Sequence, residues 1–227
     1  GSEIKTIFAE PSISRELDLQ TLSDIFTCWS PLVDATAFKG IRQLLPGHFA
    51  LYHNGRLETR SYWKLSFSGD GHWKRPFEAN REALSALLHD ATKIRLRADV
   101  PVGAYLSGGL DSTYVTALVK KHFNNRLRTF SVSFSDEKFD EAPYQLKAVD
   151  VLQTDHRMIS CTEKDIGENL PNVIWHAEVP ITRTAPVPLY MLSGLVRENN
   201  FKVVLTGEGA DEIFAGYDIF KEDRVRR

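Results

Sequence analysis

The chain has 227 residues, of which 42% are hydrophobic and 26% charged, and its formal net charge is −2. This composition suits one sizeable α/β domain with part of a second, and the small negative charge gives no general attraction to nucleic acid. There is no apolar run of about 18 residues to span a membrane, and the two cysteines, outside any Cys-x-x-Cys pair, favour a reducing compartment without disulfides or zinc.

The first part of the chain is predicted to contain a helix and a hairpin. Apolar side chains recur at near-helical spacing within Ser12–Trp29, which predicts one helix. Asn54-Gly55 joins the runs Phe49–Tyr52 and Leu57–Trp63, and this dipeptide favours the type I′ turn of an antiparallel hairpin. The polar stretch 66–76 is predicted to be a linker, so that residues 1–65 form a first domain and 77–227 a second.

The second domain is predicted to alternate helices and strands. Asn80 should cap a helix whose apolar stripe comprises Leu84, Leu87, Leu88, Ala91 and Ile94. The alternation that follows predicts an α/β fold, a parallel sheet with helices on both faces. Its predicted elements are strand Gly103–Leu106, helix Leu110–His122, strand Arg128–Phe134, helix Ala142–Leu152, strand His156–Ser160, a helix near Ile166–His176 with Pro171 inside, helix Pro188–Glu198 and strand Lys202–Leu205.

The most informative stretch is Ser107–Ser112, which reads Ser-Gly-Gly-Leu-Asp-Ser between a predicted strand and a predicted helix. Two glycines and a helix start present backbone N–H groups to an anion, the serines add hydroxyls, and Asp111 adds a carboxylate for Mg²⁺. No lysine follows the glycines, which disfavours a Walker-type loop. A polar turn in which Ser or Asp only caps the helix is the simpler alternative.

A second motif, Thr206–Glu212, follows the predicted strand Lys202–Leu205 and holds three acidic residues around two glycines. The carboxyl end of a strand in an open α/β sheet is where ligands bind. Asp211 is a candidate to share Mg²⁺ with Asp111, because that ion takes a few carboxylates together with phosphate oxygens. Glu208 is the better candidate for contact with the reacting substrate.

The two motifs together resemble the glutamine-hydrolysing asparagine synthetase family. Ser107–Ser112 is similar to the pyrophosphate loop of the ATP pyrophosphatases, the PP-loop enzymes, and Thr206–Tyr217 is similar to the family's synthetase domain. The blocks Arg97–Gly103, Phe139–Glu141 and Thr182–Pro186 also match its pattern. The resemblance covers roughly residues 60–227 and implies an adenine nucleotide alpha hydrolase-like fold of the PP-loop type.

Before Tyr62 the chain is similar to the tail of the family's glutaminase, an N-terminal-nucleophile domain, which implies an antiparallel remnant of that type 2 amidotransferase. The family's nucleophile is a cysteine at the mature N-terminus, whereas this chain begins Gly1-Ser2 and has only the internal Cys28 and Cys161. We therefore expect an internal piece of a longer enzyme that lacks the glutaminase nucleophile and part of the synthetase pocket.

The resemblance also implies roles for individual residues. Tyr105 and Val132 would contact adenine through backbone atoms, although both are equally well explained as ordinary strand residues. Arg183 has the guanidinium that aspartate recognition requires, with a plain surface arginine as the alternative. The residues implied for ATP and pyrophosphate are Tyr105, Ser107, Gly108, Gly109, Asp111, Ser112, Val132, Thr206 and Gly207, with Asp111 and Asp211 for the metal.

The implied reaction is ATP-dependent amide synthesis through an acyl-adenylate, aspartate to asparagine in the intact enzyme. Glu208 is the expected general base for the nitrogen nucleophile. The expected cofactors and partners are ATP, Mg²⁺, aspartate and ammonia from glutamine, in the cytoplasm, with no nucleic acid or membrane and with a homodimer left open. The alternatives are another PP-loop amidotransferase or cyclase, β-lactam-synthetase-like or amidating a sugar acid or peptide, and an ATP-binding module without activity.

Overall fold

This computed structural model describes residues 1–66, 75–124 and 126–226. The chain divides into two compact units. The first contains the residues before position 75 together with Asn169–Thr184, and the second contains Arg75–Glu168 and Ala185–Arg227. Most of the predicted linker at 66–76 lies outside the described residues.

The first unit contains the predicted helix and hairpin. A 3₁₀ helix at Ile4–Ala9 precedes helix α1, Leu19–Cys28, and strands β1, His48–His53, and β2, Arg56–Ser61, form an antiparallel pair. The φ angles of Asn54 and Gly55 are 49° and 76°, both positive as a type I′ turn requires. The segment Asn169–Thr184 is tied to the start of the chain, because the Glu178 carboxylate accepts hydrogen bonds from the backbone N–H groups of Ile4 and Lys5.

The second unit is built around a four-stranded parallel sheet with the strand order β5-β4-β3-β6. Strands β3 and β4 are neighbours in this order, as their succession along the chain favours. In chain order the elements from residue 77 onward are α2 Phe77–Arg95, β3 Val102–Tyr105, α3 Leu110–His122, β4 Arg128–Phe134, α4 Ala142–Leu152, β5 Asp155–Cys161, α5 Glu163–Ala177, α6 Pro186–Glu198, β6 Val203–Leu205, α7 Ala210–Phe214 and α8 Asp218–Arg226.

Apolar side chains cover both faces of this sheet, because successive side chains of a strand point to opposite sides. On one face Val102, Ala104 and Leu205 pack in a cluster with Val119 of α3. On the other face Phe130 packs in a second cluster with Leu192 and Val196 of α6. The predicted fold class is confirmed: the chain contains a parallel sheet with helices on both faces, preceded in sequence by a small antiparallel sheet.

Helix α2 begins earlier than predicted. Asn80 is not its N-cap, because the helix starts at Phe77 after Pro76, and a proline at a helix start is pre-organised by its fixed φ. The Asn80 amide instead donates to the Arg75 carbonyl at 3.4 Å. The predicted apolar stripe is only partly covered, since Leu87 remains 68% exposed. Among the described helices none has the length and apolar character needed to cross a membrane.

Candidate functional site

A cavity of about 300 Å³ lies in the second unit where strands β3, β4 and β6 end. Ligands of open α/β sheets bind at this edge. Ten of the twelve residues predicted for the site line the cavity, and Gly108 and Arg183 do not. The ten are Tyr105, Ser107, Gly109, Asp111, Ser112, Val132, Thr206, Gly207, Glu208 and Asp211.

The first wall is the loop between β3 and α3, and its shape depends on glycine at position 108. Gly108 has φ = 84°, a conformation that side chains disfavour. A Cβ at this position would also lie 2.8 Å from the backbone nitrogen of Gln145 and 2.9 Å from the Tyr144 Cβ. Glycine therefore allows the start of α4 to approach the back of the loop.

Two serine hydroxyls close the loop on itself. The Oγ atoms of Ser107 and Ser112 are 2.8 Å apart, and Ser112 Oγ also accepts the Ser107 backbone N–H at 3.2 Å. Ser112 is buried, and the Gly109 N–H donates to Ser107 Oγ at 3.3 Å. Ser112 Oγ also donates to the Gly109 carbonyl at 3.3 Å, so the two hydroxyls belong to one network of hydrogen bonds within the loop.

The second wall is the loop between β6 and α7, and it touches the first. A Cβ on Gly207 would lie 2.7 Å from the Ser112 backbone nitrogen and 3.1 Å from the Asp111 Cβ. The backbone at Gly207 thus rests directly on the start of α3. Gly209, with φ = 88°, is the N-cap of α7, so the turn that follows Glu208 again uses a left-handed glycine. The two motifs, distant in sequence, form one site.

Acidic side chains dominate the polar part of the cavity. Five of its lining residues carry a carboxylate. Among the described residues that line the cavity there is no Lys, Arg or His. The Tyr217 hydroxyl donates to Glu212 Oε1 at 2.8 Å, and this bond is the main cause that raises the pKa of Tyr217. The carboxylates are Asp111, Glu141, Glu208, Asp211 and Glu212.

The carboxylates do not form a ready-made metal site. Within the described residues no three His, Cys, Asp or Glu side chains are grouped closely enough to hold an ion. Oxygen donors of this kind nevertheless suit Mg²⁺, which takes one or two carboxylates, keeps several waters and completes its shell with substrate phosphate oxygens. Asp111 and Asp211 therefore fit an ion that arrives with a phosphate.

The apolar part of the cavity lies beside the end of β4. Tyr105 is half-buried, and burial raises the pKa of its phenol. Val132 and Phe130 of β4 and Leu189 and Leu192 of α6 line this part. The two leucines were not predicted for the site, and their only signal in the sequence is their spacing on a predicted helix.

Gln145, Glu141 and Tyr217 also line the cavity without having been assigned to it. Gln145 is only 2% exposed, and a glutamine in the first turns of a helix carries no sequence signal for burial. Glu141 lies in an acidic loop that is most simply explained as solvated. Tyr217 follows the second motif directly, and this adjacency was the one available signal.

Arg183 belongs to the first unit. Its guanidinium lies over the Trp29 ring, 3.7 Å from the ring centroid, which is within the range of a cation–π contact. Together with Thr182 and Ile174 it lines a separate pocket. Its role in aspartate recognition stays a prediction.

Comparison with known proteins shows two family matches. The family model described as asparagine synthase matches residues 83–227, and the glutamine amidotransferase domain model matches residues 1–63. A solved NH3-dependent NAD synthetase from Campylobacter jejuni aligns with 63% of this chain and 61% of its own, at 17% identity and a TM-score of 0.40, a likeness too low to carry a conclusion.

Several curated proteins are similar to nearly the whole chain. Amidase chyE of Penicillium rubens is 32% identical over 98% of this chain and 35% of its own length. A putative asparagine synthetase [glutamine-hydrolyzing] of Mycobacterium tuberculosis is 35% identical over 82% of this chain and 29% of its own length. Asparagine synthetase [glutamine-hydrolyzing] 1 of Bacillus subtilis is 28% identical over 91% of this chain and 32% of its own length. The chain thus spans about a third of the length of these relatives.

Proposed function

Because this chain belongs to the asparagine synthase family, we propose that it carries the ATP site of a ligase that activates a carboxylic acid as an acyl-adenylate. The observation that supports this most is the contact at Gly207, where a Cβ would meet the Ser112 nitrogen at 2.7 Å. That contact joins an anion-binding loop to an acidic loop around one cavity.

The chemistry explains why both loops are needed. A carboxylate is a poor acyl donor, because its leaving group would be oxide. Attack of the carboxylate oxygen on the α-phosphorus of ATP forms the acyl–phosphate bond and releases pyrophosphate. The N–H and hydroxyl groups of Ser107–Ser112 would hold the departing pyrophosphate.

Asp111 and Asp211 would hold Mg²⁺ at the phosphates. With five carboxylates and no cationic side chain among the described residues that line the cavity, a triphosphate meets only negative charge on the protein side. The ion supplies the charge neutralisation that this wall does not. Backbone donors of the two loops then orient the nucleotide.

Glu208 would act in the second half of the reaction. Ammonia attacks the activated carbonyl and AMP leaves, and the nitrogen must lose a proton. The Glu208 side chain is exposed, lines the cavity and lies three residues beyond the end of β6. A carboxylate there is suited to accept that proton as general base.

We propose aspartate as the acid and glutamine as the nitrogen source, giving asparagine, with Arg183 as a candidate for the aspartate carboxylate. The similarity to the Bacillus subtilis asparagine synthetase supports this choice. A different acceptor acid is the second candidate, because chyE of Penicillium rubens and chry2 of Gibberella zeae are named amidases and are 32% and 31% identical to this chain. The two free cysteines favour a cytoplasmic setting.

ATP–pyrophosphate exchange in the full-length protein tests this proposal. Labelled pyrophosphate should enter ATP only when the accepted acid is present, since exchange reports the reversible adenylation of that acid. A panel of aspartate, glutamate, short peptides and sugar acids separates the two candidates. Exchange with no acid in a broad panel, while ATP still binds, would overturn the ligase assignment and leave an ATP-binding module.

A further inference from the structure

Gln145 is a buried amide in the wall of the cavity and has an unused acceptor. Its side chain is 2% exposed, and Nε2 donates to the Val132 carbonyl at 3.0 Å. The Oε1 atom is buried and has no hydrogen-bond partner among the described residues. Gln145 and Val132 both line the cavity, beside Tyr105 and Phe130.

The hydrogen bond to Val132 settles which end of this amide is nitrogen and which is oxygen. The Val132 carbonyl can only accept, so the NH2 group must face it and the oxygen must face away. A buried acceptor without a donor is costly, and native structures rarely leave one. The site therefore lacks a donor next to Gln145.

Resting on the ATP site proposed above, we infer that Gln145 is a specificity residue for the purine base, and that its Oε1 accepts a hydrogen bond from the 6-amino group of adenine. That group has two N–H bonds, and the amide oxygen of a glutamine can accept a hydrogen bond from one of them. A base with a 6-oxo group would instead set an oxygen against Oε1. The pocket thereby favours adenine over hypoxanthine and guanine.

The aromatic and aliphatic neighbours agree with this placement. Tyr105, Phe130, Leu189 and Leu192 form the apolar part of the cavity, where a flat base would be stabilised by burial. Oε1 is itself covered, so contact with the base requires a small outward turn of the amide. The terminal torsion of glutamine is broad, and the turn brings an unpaired acceptor to a donor.

Calorimetry with three nucleotides tests the inference on the chain itself. ATP, purine riboside triphosphate and inosine triphosphate carry amino, hydrogen and oxo groups at position 6, and the 6-oxo base also has a proton on N1. With Mg²⁺, the wild-type chain should bind ATP more tightly than purine riboside triphosphate by about tenfold or more, and inosine triphosphate more weakly still. In Gln145→Met, a side chain of similar length, the preference for ATP over purine riboside triphosphate should shrink by about tenfold.

Matched controls separate this inference from others. Gln20→Met, at an exposed position of α1 that is bonded to Asp24, should leave all three affinities unchanged. Equal wild-type affinities for ATP and purine riboside triphosphate would overturn the inference, whether or not the variant folds. An equal loss of affinity for all three nucleotides in a folded Gln145→Met would also overturn it and would give Gln145 a purely structural role. A buried water bonded to Oε1 would overturn it as well. No ATP binding by the wild type would overturn the proposed function as well.

Discussion

Glu208 is the residue on which the proposed chemistry depends most. Its backbone N–H donates to Thr206 Oγ1 at 3.4 Å, and no carboxylate hydrogen bond of Glu208 holds the loop in the described structure. Its side chain is therefore available to a substrate. A change at this position should affect chemistry rather than folding.

We predict that Glu208→Gln in the full-length enzyme lowers turnover by about 10²- to 10⁴-fold, the usual contribution of a general base. ATP affinity should be retained, because the amide keeps the size of the side chain. Amide formation and ATP binding are measured side by side, with the exposed Glu137→Gln as the control. Turnover within a few-fold of wild type would make Glu208 a loop-shaping residue.

Asp111→Asn and Asp211→Asn should each weaken Mg²⁺-dependent ATP binding and leave the melting temperature nearly unchanged. Both side chains lie at the rim of the sheet, half-buried, and line the cavity, so loss of charge removes a metal ligand and little packing. Binding and thermal melting are compared for each variant. A fall in stability in proportion to the fall in affinity would favour a purely structural role.

His156 gives a prediction about pH. Its Nδ1 lies 3.0 Å from Thr129 Oγ1, and its buried Nε2 has no partner among the described residues. Burial holds the pKa of His156 below its ordinary value of 6.5, with Arg157 lowering it further and Asp155 opposing. The unfolded chain therefore takes up a proton first as the pH falls.

The free energy of unfolding should consequently decline as the pH falls below about 6.5, and this stability should be fully present above that pH. Urea unfolding between about pH 7.5 and 5.5 measures it. In His156→Gln the decline should be shallower, whereas exposed His53→Gln should follow the wild type. Parallel curves for His156→Gln and the wild type would contradict the buried neutral imidazole.

At the scale of elements, the contact between the two loops depends on glycine. Gly207 has no room for a Cβ against the Ser112 nitrogen, whereas the space at Gly209 is open and its difficulty is φ = 88°. Alanine at these two positions therefore separates two effects. Gly207→Ala should push the loops apart, and Gly209→Ala should cost about 1–2 kcal/mol of backbone strain.

We expect Gly207→Ala to weaken ATP binding by more than its loss of unfolding free energy can explain. Gly209→Ala should mainly lower the free energy of unfolding and change ATP affinity less. ATP titration and urea unfolding of both variants provide the comparison. If the two variants lose ATP affinity equally at equal stability, the loop contact does not shape the site.

The sequence predicts α3, β4 and α4 with the bounds that the structure has, because each is limited by strong local signals. Glycines precede α3, and α4 has a proline in its first turn and ends at Leu152, before Gln153 in the left-handed region. Local signals fail where position depends on packing between elements. The start of α2, the short helices α7 and α8 and the grouping of Arg183 with Trp29 are of this kind.

The same distinction holds for the site. Eight of the ten predicted lining residues belong to the two motifs, which follow strands that end at one edge of the sheet, and the other two, Tyr105 and Val132, were expected from the family resemblance. Gln145 is not predictable from the sequence. Its proposed role depends on a hydrogen bond to Val132 and on an oxygen without a partner among the described residues, and no sequence pattern indicates either. Glu141 joins the cavity only through the path of the loop after β4.

At the scale of the whole molecule, the two units differ in what they bring to function. The cavity, both motifs and the parallel sheet belong to the second unit, and the hairpin, the Glu178 contacts and Arg183 belong to the first. The proposed ATP site is thus contained in one unit. Nucleotide binding should therefore be measurable on this chain, whereas amide synthesis is a property proposed for the full-length protein.

The central claim is that the two loops form one Mg²⁺-dependent ATP site, and calorimetric titration of the chain with ATP, with and without Mg²⁺, tests it most directly. Because the described cavity wall holds five carboxylates and no cationic side chain, we predict saturable binding with Mg²⁺ and a loss of at least about tenfold in affinity, 1.4 kcal/mol, in excess EDTA. Equal affinity in the two conditions would contradict the account.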